Sequence, residues 1–185
     1  GCRKLNIRFA ALRKKEDVER LWDYVKDGTV DFIGSDHSPF LVSEKEKKDK
    51  DGNKDIFLSP SGFPGIDLRL PLMITEGLKR GVSLEKIVEL LSVNPAKLFH
   101  IFPQKGTISA GADGDLVIVD MNKKVTCHAE DSYSQAKGIM KVYEGWQLDC
   151  AVDSTIVRGR VVYENGKVDE SASGWGEFVK PVLKK

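Results

Sequence analysis

The spacing of apolar residues changes once along this chain, near Lys105, and that change restricts the fold more than any other feature. Before it the spacing is helical. Val18, Leu21, Trp22 and Val25 fall at i, i+3, i+4 and i+7 and predict a helix from about Lys15 to Asp27, stopped by Gly28. A second helix is expected over residues 66–79, with Gly81 as its stop. Ser83 is placed to cap a third, whose stripe is Leu84, Ile87, Val88 and Leu91. Pro95 is placed to open a further short helix. After Lys105 the runs are short and strand-like: residues 107–108, 116–119, 125–128, 154–158 and 160–163, with an Asn165-Gly166 hairpin turn. Residues 15–100 are therefore expected to hold helices around one core strand, residues 30–34, and residues 106–168 to be mainly β.

That core strand ends in a cluster with chemical potential. The apolar run Val30-Asp31-Phe32-Ile33-Gly34 leads into Ser35-Asp36-His37-Ser38, and Pro39 closes it. In barrels of parallel strands the catalytic groups stand at the C-terminal strand ends. An aspartate there can bind a metal or take a proton from water. The alternative is that Asp36 and Ser38 only cap the following turn.

The next segment, residues 43–55, is a mixed-sign run with almost no apolar side chains. It reads as a solvated loop, with a lid over the neighbouring cluster as the alternative. Ser59-Pro60-Ser61-Gly62-Phe63-Pro64-Gly65 follows, in which two prolines and two glycines impose a special backbone path. His100, between Phe99 and Ile101, reads as a packed histidine. Cys127 and His128 are neighbours on a strand and face opposite ways.

Ser35-Asp36-His37-Ser38-Pro39-Phe40 resembles the last barrel strand of the cyclic amidohydrolases: the hydantoinases, dihydropyrimidinases, allantoinases and dihydroorotases of the amidohydrolase superfamily. The resemblance continues in order through residues 60–65, Asn94-Pro95-Ala96-Lys97-Leu98-Phe99, Lys105-Gly106-Thr107-Ile108, residues 111–120, Tyr143-Glu144-Gly145-Trp146 and residues 156–162. Each motif is weak alone, whereas the ordered set is specific. It implies an α/β fold: the C-terminal part of a TIM-like (β/α)8 metal-dependent hydrolase barrel over residues 1–105, part of a small composite β-sandwich over 106–168, and a C-terminal tail over 169–185. It implies hydrolytic opening of a cyclic amide or imide with two divalent metals, usually zinc.

By the same resemblance Asp36 is the catalytic acid–base and a metal ligand, and the loop bearing Ser61 and Gly62 binds the substrate through its backbone. Ser61 stands where the hydantoinase-like loop has asparagine. Ala10-Ala11 stand where the family often has two prolines, and the Arg13 that follows reads as a solvated flank. Phe40, where dihydroorotases carry a histidine, leans toward the hydantoinase, dihydropyrimidinase or allantoinase type. A dihydroorotase is the alternative, as is a non-catalytic dihydropyrimidinase-like oligomer. The family's remaining ligands, a His-x-His pair, a carboxylated lysine and two further histidines, have no counterpart in His37, His100 and His128. Together with the start at Gly1 rather than Met, this leads us to expect the C-terminal portion of a longer enzyme, one that forms homo-oligomers (dimer or tetramer).

Composition excludes other classes. With 29 basic and 28 acidic side chains the net charge is +1, so neither nucleic acid nor an anionic membrane is an expected partner. No apolar run nears the ~18 residues of a membrane span. Cys2, Cys127 and Cys150 are odd in number and widely spaced, which suggests a reducing cytoplasm rather than a disulfide framework.

Overall fold

Helix α1 spans Lys15–Asp27, as its apolar spacing requires, and Gly28 ends it at φ +86°. The computed structural model describes residues 13–182. Cys2 and Ala10-Ala11 lie outside that range, and Arg13 is exposed.

Residues 30–34 do not form the expected core strand. They belong to no ladder among the described residues. A strand is held by hydrogen bonds to a neighbouring strand. With none beside it among the described residues, this segment hydrogen-bonds to helices instead. Val30 N–H donates to the Tyr24 carbonyl and Ile33 N–H to the Leu90 carbonyl, both at 3.1 Å.

Helix α2 is one turn, Val42–Lys45, and a 3-10 turn follows at Ile56–Leu58. Helix α3 is Arg69–Lys79. Ser83 Oγ accepts from Lys86 N–H and caps α4, Leu84–Val88. The chain then stays helical through a π turn, Glu89–Val93, into α5, Asn94–Leu98. Pro95 stands in the first turn of α5, as expected, but that helix continues directly from the π turn. Proline has no N–H to offer the preceding turn and its ring crowds it, and a wider π turn makes room. The core joins these helices: Val25, Ile74, Val82, Ile87 and Leu90 pack with Cys150, flanked by Trp22, Val30 and Ile33.

The second half is β-rich and antiparallel. Strands β1 (Leu116–Asp120), β4 (Ala151–Val157), β5 (Arg160–Glu164) and β6 (Lys167–Val168) make one sheet in that order, and β2 (Val125–Thr126) pairs with β3 (Gln147–Leu148). The hairpin turns Arg158-Gly159 and Asn165-Gly166 put both central residues at positive φ, as the favoured two-residue turns demand. Residues 107–108 form no strand, and Ile108 is exposed. Between β2 and β3 the chain coils into 3-10 turns at Ala129–Asp131 and Lys137–Tyr143. The two halves are tied where Asp149 N–H donates to Thr75 Oγ1 at 2.9 Å and Cys150 enters the helical core.

The tail folds back on its own chain. Trp175 Nε1 donates to the Val157 carbonyl at 2.8 Å, with the Arg158 and Arg160 guanidiniums over its ring, and Val182 N–H reaches the His100 carbonyl. Among the described residues no helix is long and apolar enough to cross a membrane.

Candidate functional site

Two segments far apart in sequence meet at the cluster that follows residues 30–34. Ser38 N–H donates to the Phe63 carbonyl at 3.2 Å. His37 Nδ1 accepts from the N–H groups of Gly65 (3.2 Å) and Ile66 (3.4 Å). A Cβ built on Gly62 would lie 2.6 Å from the Ser38 side chain, and Gly62 is buried at φ +87°. The Asp36 turn and the Ser61-Gly62 loop are therefore packed against each other.

Asp36 itself has φ +46° and is exposed. Aspartate tolerates this left-handed backbone better than most residues. The turn is capped by its neighbours: Ser35 Oγ accepts from His37 N–H at 3.3 Å, and Ser38 Oγ donates to the Asp36 carbonyl at 3.1 Å. Among the described residues nothing donates to the Asp36 carboxylate, so it stands open to solvent rather than spent on the turn. Ser61 is half-buried.

Two residues in this region escaped sequence reasoning. His37 anchors the start of the segment leading into α3, and nothing in its local sequence announced that. Lys45 was counted in a solvated run, yet its side chain is 0% exposed. Its Nζ donates to the Pro60 carbonyl at 2.5 Å and to the Gly62 carbonyl, and lies 5.2 Å from the centre of the Phe40 ring. Burial lowers the pKa of this amine from its ordinary value. The rest of the run is ordered by Asp49, which accepts from Asp51 and Asn53 N–H, and by a Lys54–Glu46 ion pair at 2.9 Å.

The other histidines lie elsewhere. His100 is not packed, as its apolar neighbours suggested. It is exposed at φ +56°, just past the end of α5, where the chain leaves the helix. His128 Nδ1 pairs with Glu144 at 2.8 Å, while Cys127 beside it is buried; both lie past the end of β2 rather than on the expected strand. Cys127 and Cys150 are free thiols whose pKa values burial raises. A cavity of about 340 Å³ between α3 and the β2–β3 region is lined by Asp67, Cys127, His128, Tyr133 and Tyr143 but by none of Asp36, Ser61 or Gly62.

The described residues contain no group of three or more His, Cys, Asp or Glu side chains able to hold a metal ion. Asp36 is one carboxylate donor, so these residues do not make a metal site by themselves.

The sequence profile of the amidohydrolase family matches residues 2–162. The chain belongs to that family. It is 39% identical over 171 residues to an L-hydantoinase of Paenarthrobacter aurescens, covering 91% of this chain and 35% of the relative. It is 32% identical over 170 residues to a D-phenylhydantoinase of Escherichia coli O1:K1, covering 91% and 36%. Among solved structures, a dihydropyrimidinase from Brevibacillus agri superposes with a TM-score of 0.79 at 32% identity over 89% of this chain and 35% of its own. An L-hydantoinase from Arthrobacter aurescens gives 0.74 at 36% identity over 88% and 35%. The chain thus shares the fold of part of these hydantoinases and spans about a third of their length.

Proposed function

We propose that this chain forms the C-terminal part of a metal-dependent hydrolase that opens a cyclic amide or imide of the hydantoin or dihydropyrimidine kind. In that reading residues 1–105 belong to the barrel, 106–168 to a small β-sandwich, and residues 30–34 are the last barrel strand, its ladder partners lying outside the described residues. The observation that carries the reading is the Asp36 carboxylate, exposed and uncommitted, on a turn packed against the Ser61-Gly62 loop. The 39% identity to an L-hydantoinase across this region favours a ring amide over other amidohydrolase substrates.

Asp36 takes the proton of the attacking water and returns it to the ring nitrogen as the C–N bond breaks. One carboxylate serves both steps if the water and the leaving nitrogen lie within hydrogen-bond reach of it. The Ser61 and Gly62 backbone holds the ring amide, which keeps the loop's role intact although serine replaces asparagine there. A divalent metal with Asp36 as one ligand, the other ligands coming from outside the described residues, would acidify the water and polarise the carbonyl.

Asp36→Asn in the whole enzyme tests this. Asparagine is nearly isosteric but cannot accept the proton. Turnover of hydantoin or dihydrouracil is expected to fall about 10²–10⁴-fold with the melting temperature nearly unchanged. A variant with near-normal kcat would remove Asp36 from the chemistry.

A further inference from the structure

Lys45 is a fully buried lysine that the mechanism above does not use. Its Nζ gathers the carbonyls of Pro60 and Gly62, which flank Ser61, onto one side of the loop. In a trans peptide the C=O of one residue and the N–H of the next point in opposite directions. Drawing the Pro60 and Gly62 carbonyls toward Lys45 therefore turns the N–H groups of Ser61 and Phe63 to the other side. Neither has a hydrogen-bond partner among the described residues. The same ammonium lies against the Phe40 ring, at the end of the Asp36 turn. Lys45 thus touches both segments of the candidate site.

We infer that Lys45 is the positioning residue of the substrate loop: it holds the loop so that the Ser61 and Phe63 N–H groups are presented as a pair of donors to a carbonyl oxygen of the cyclic amide. The inference rests on the reading of this loop as substrate-binding and adds the group that shapes it. A preformed pair of donors binds without the entropy loss of ordering a loop on each encounter. A lysine ε-ammonium at this position is chemically suited to the task, since it offers three N–H donors to carbonyl acceptors in a space closed to water.

The test is steady-state kinetics of the whole enzyme with hydantoin and dihydrouracil, for wild type, Lys45→Met and Lys45→Gln. Methionine fills similar volume without donors. It is expected to raise KM about tenfold, the effect of losing one or two hydrogen bonds, with a smaller change in kcat and unchanged metal content. Glutamine keeps two N–H donors on a shorter, neutral arm, and its KM should fall between the two. It also keeps the question answerable if the methionine variant does not fold. A methionine enzyme with unchanged KM and only a lowered melting temperature would make Lys45 a purely structural residue and overturn the inference. So would a glutamine enzyme with no recovery relative to methionine. If the wild-type enzyme opens neither ring, the functional reading itself falls and takes this role with it. An active wild type with indifferent variants overturns the Lys45 role alone.

Discussion

Gly62 has no room for a side chain. Its φ of +87° is one that L-residues adopt at a cost of about 1–2 kcal/mol, and its missing Cβ would press within 2.6 Å of Ser38. Adding overpacking of about 1–3 kcal/mol, Gly62→Ala is expected to destabilise by roughly 2–5 kcal/mol, read as a lowered denaturant midpoint. Because the clash falls on Ser38, whose hydroxyl holds the Asp36 carbonyl, the substitution should also disturb the Asp36 turn. An unchanged midpoint would mean that the loop and the turn are not packed as described. At this scale the structure packs Gly62 against Ser38, two residues past Asp36, and places Lys45 where the sequence did not. One lysine among many in a charged run carries no local mark of burial, because its acceptors lie 15 and 17 residues further on.

At the scale of elements, α1 and α3 are joined by one arginine. Arg80 donates to Glu19 of α1 at 2.8 Å and to Glu76 of α3 at 2.6 Å, and its guanidinium lies over the Trp22 ring. The hydrogen bonds from Arg80 hold both carboxyls below their ordinary value of 4.5. Groups with depressed folded pKa values contribute stability that is complete above the unfolded value and lost as pH falls through the folded one. Arg80→Ala should therefore lower the melting temperature at pH 7, and the gap from wild type should narrow as pH drops below about 4.5. Glu19 is partly exposed, so salt should shrink the effect. A gap independent of pH would assign the loss to packing on Trp22. Helix α1 matched its expected bounds at both ends because its periodicity and its Gly28 stop are local signals. Residues 30–34 carry an equally clear strand signal, but a ladder needs a second chain segment, and composition cannot say whether one is within reach.

For the whole molecule, the exposed apolar surface is the dominant feature. Phe57 is 75% exposed, and Phe32, Leu41, Ile56, Leu58 and Ile66 around the candidate site are exposed as well. Extended apolar patches of this kind drive association. These 185 residues expressed alone are expected to self-associate in sedimentation velocity; a monodisperse, cooperatively melting monomer would show that this surface needs no cover.

From sequence alone came the helical half, the β half, the Asn165-Gly166 hairpin and the Asp36 candidate, because periodicity, capping and turn chemistry act over a few residues. Tertiary structure alone decided that His37 holds the amides of Gly65 and Ile66, that Lys45 is buried under the Ser61 loop, that His100 is exposed, and that the tail packs Trp175 against Val157. Most of these depend on pairs distant along the chain. Their energies come from desolvation and hydrogen-bond geometry that arise only once the pairs meet.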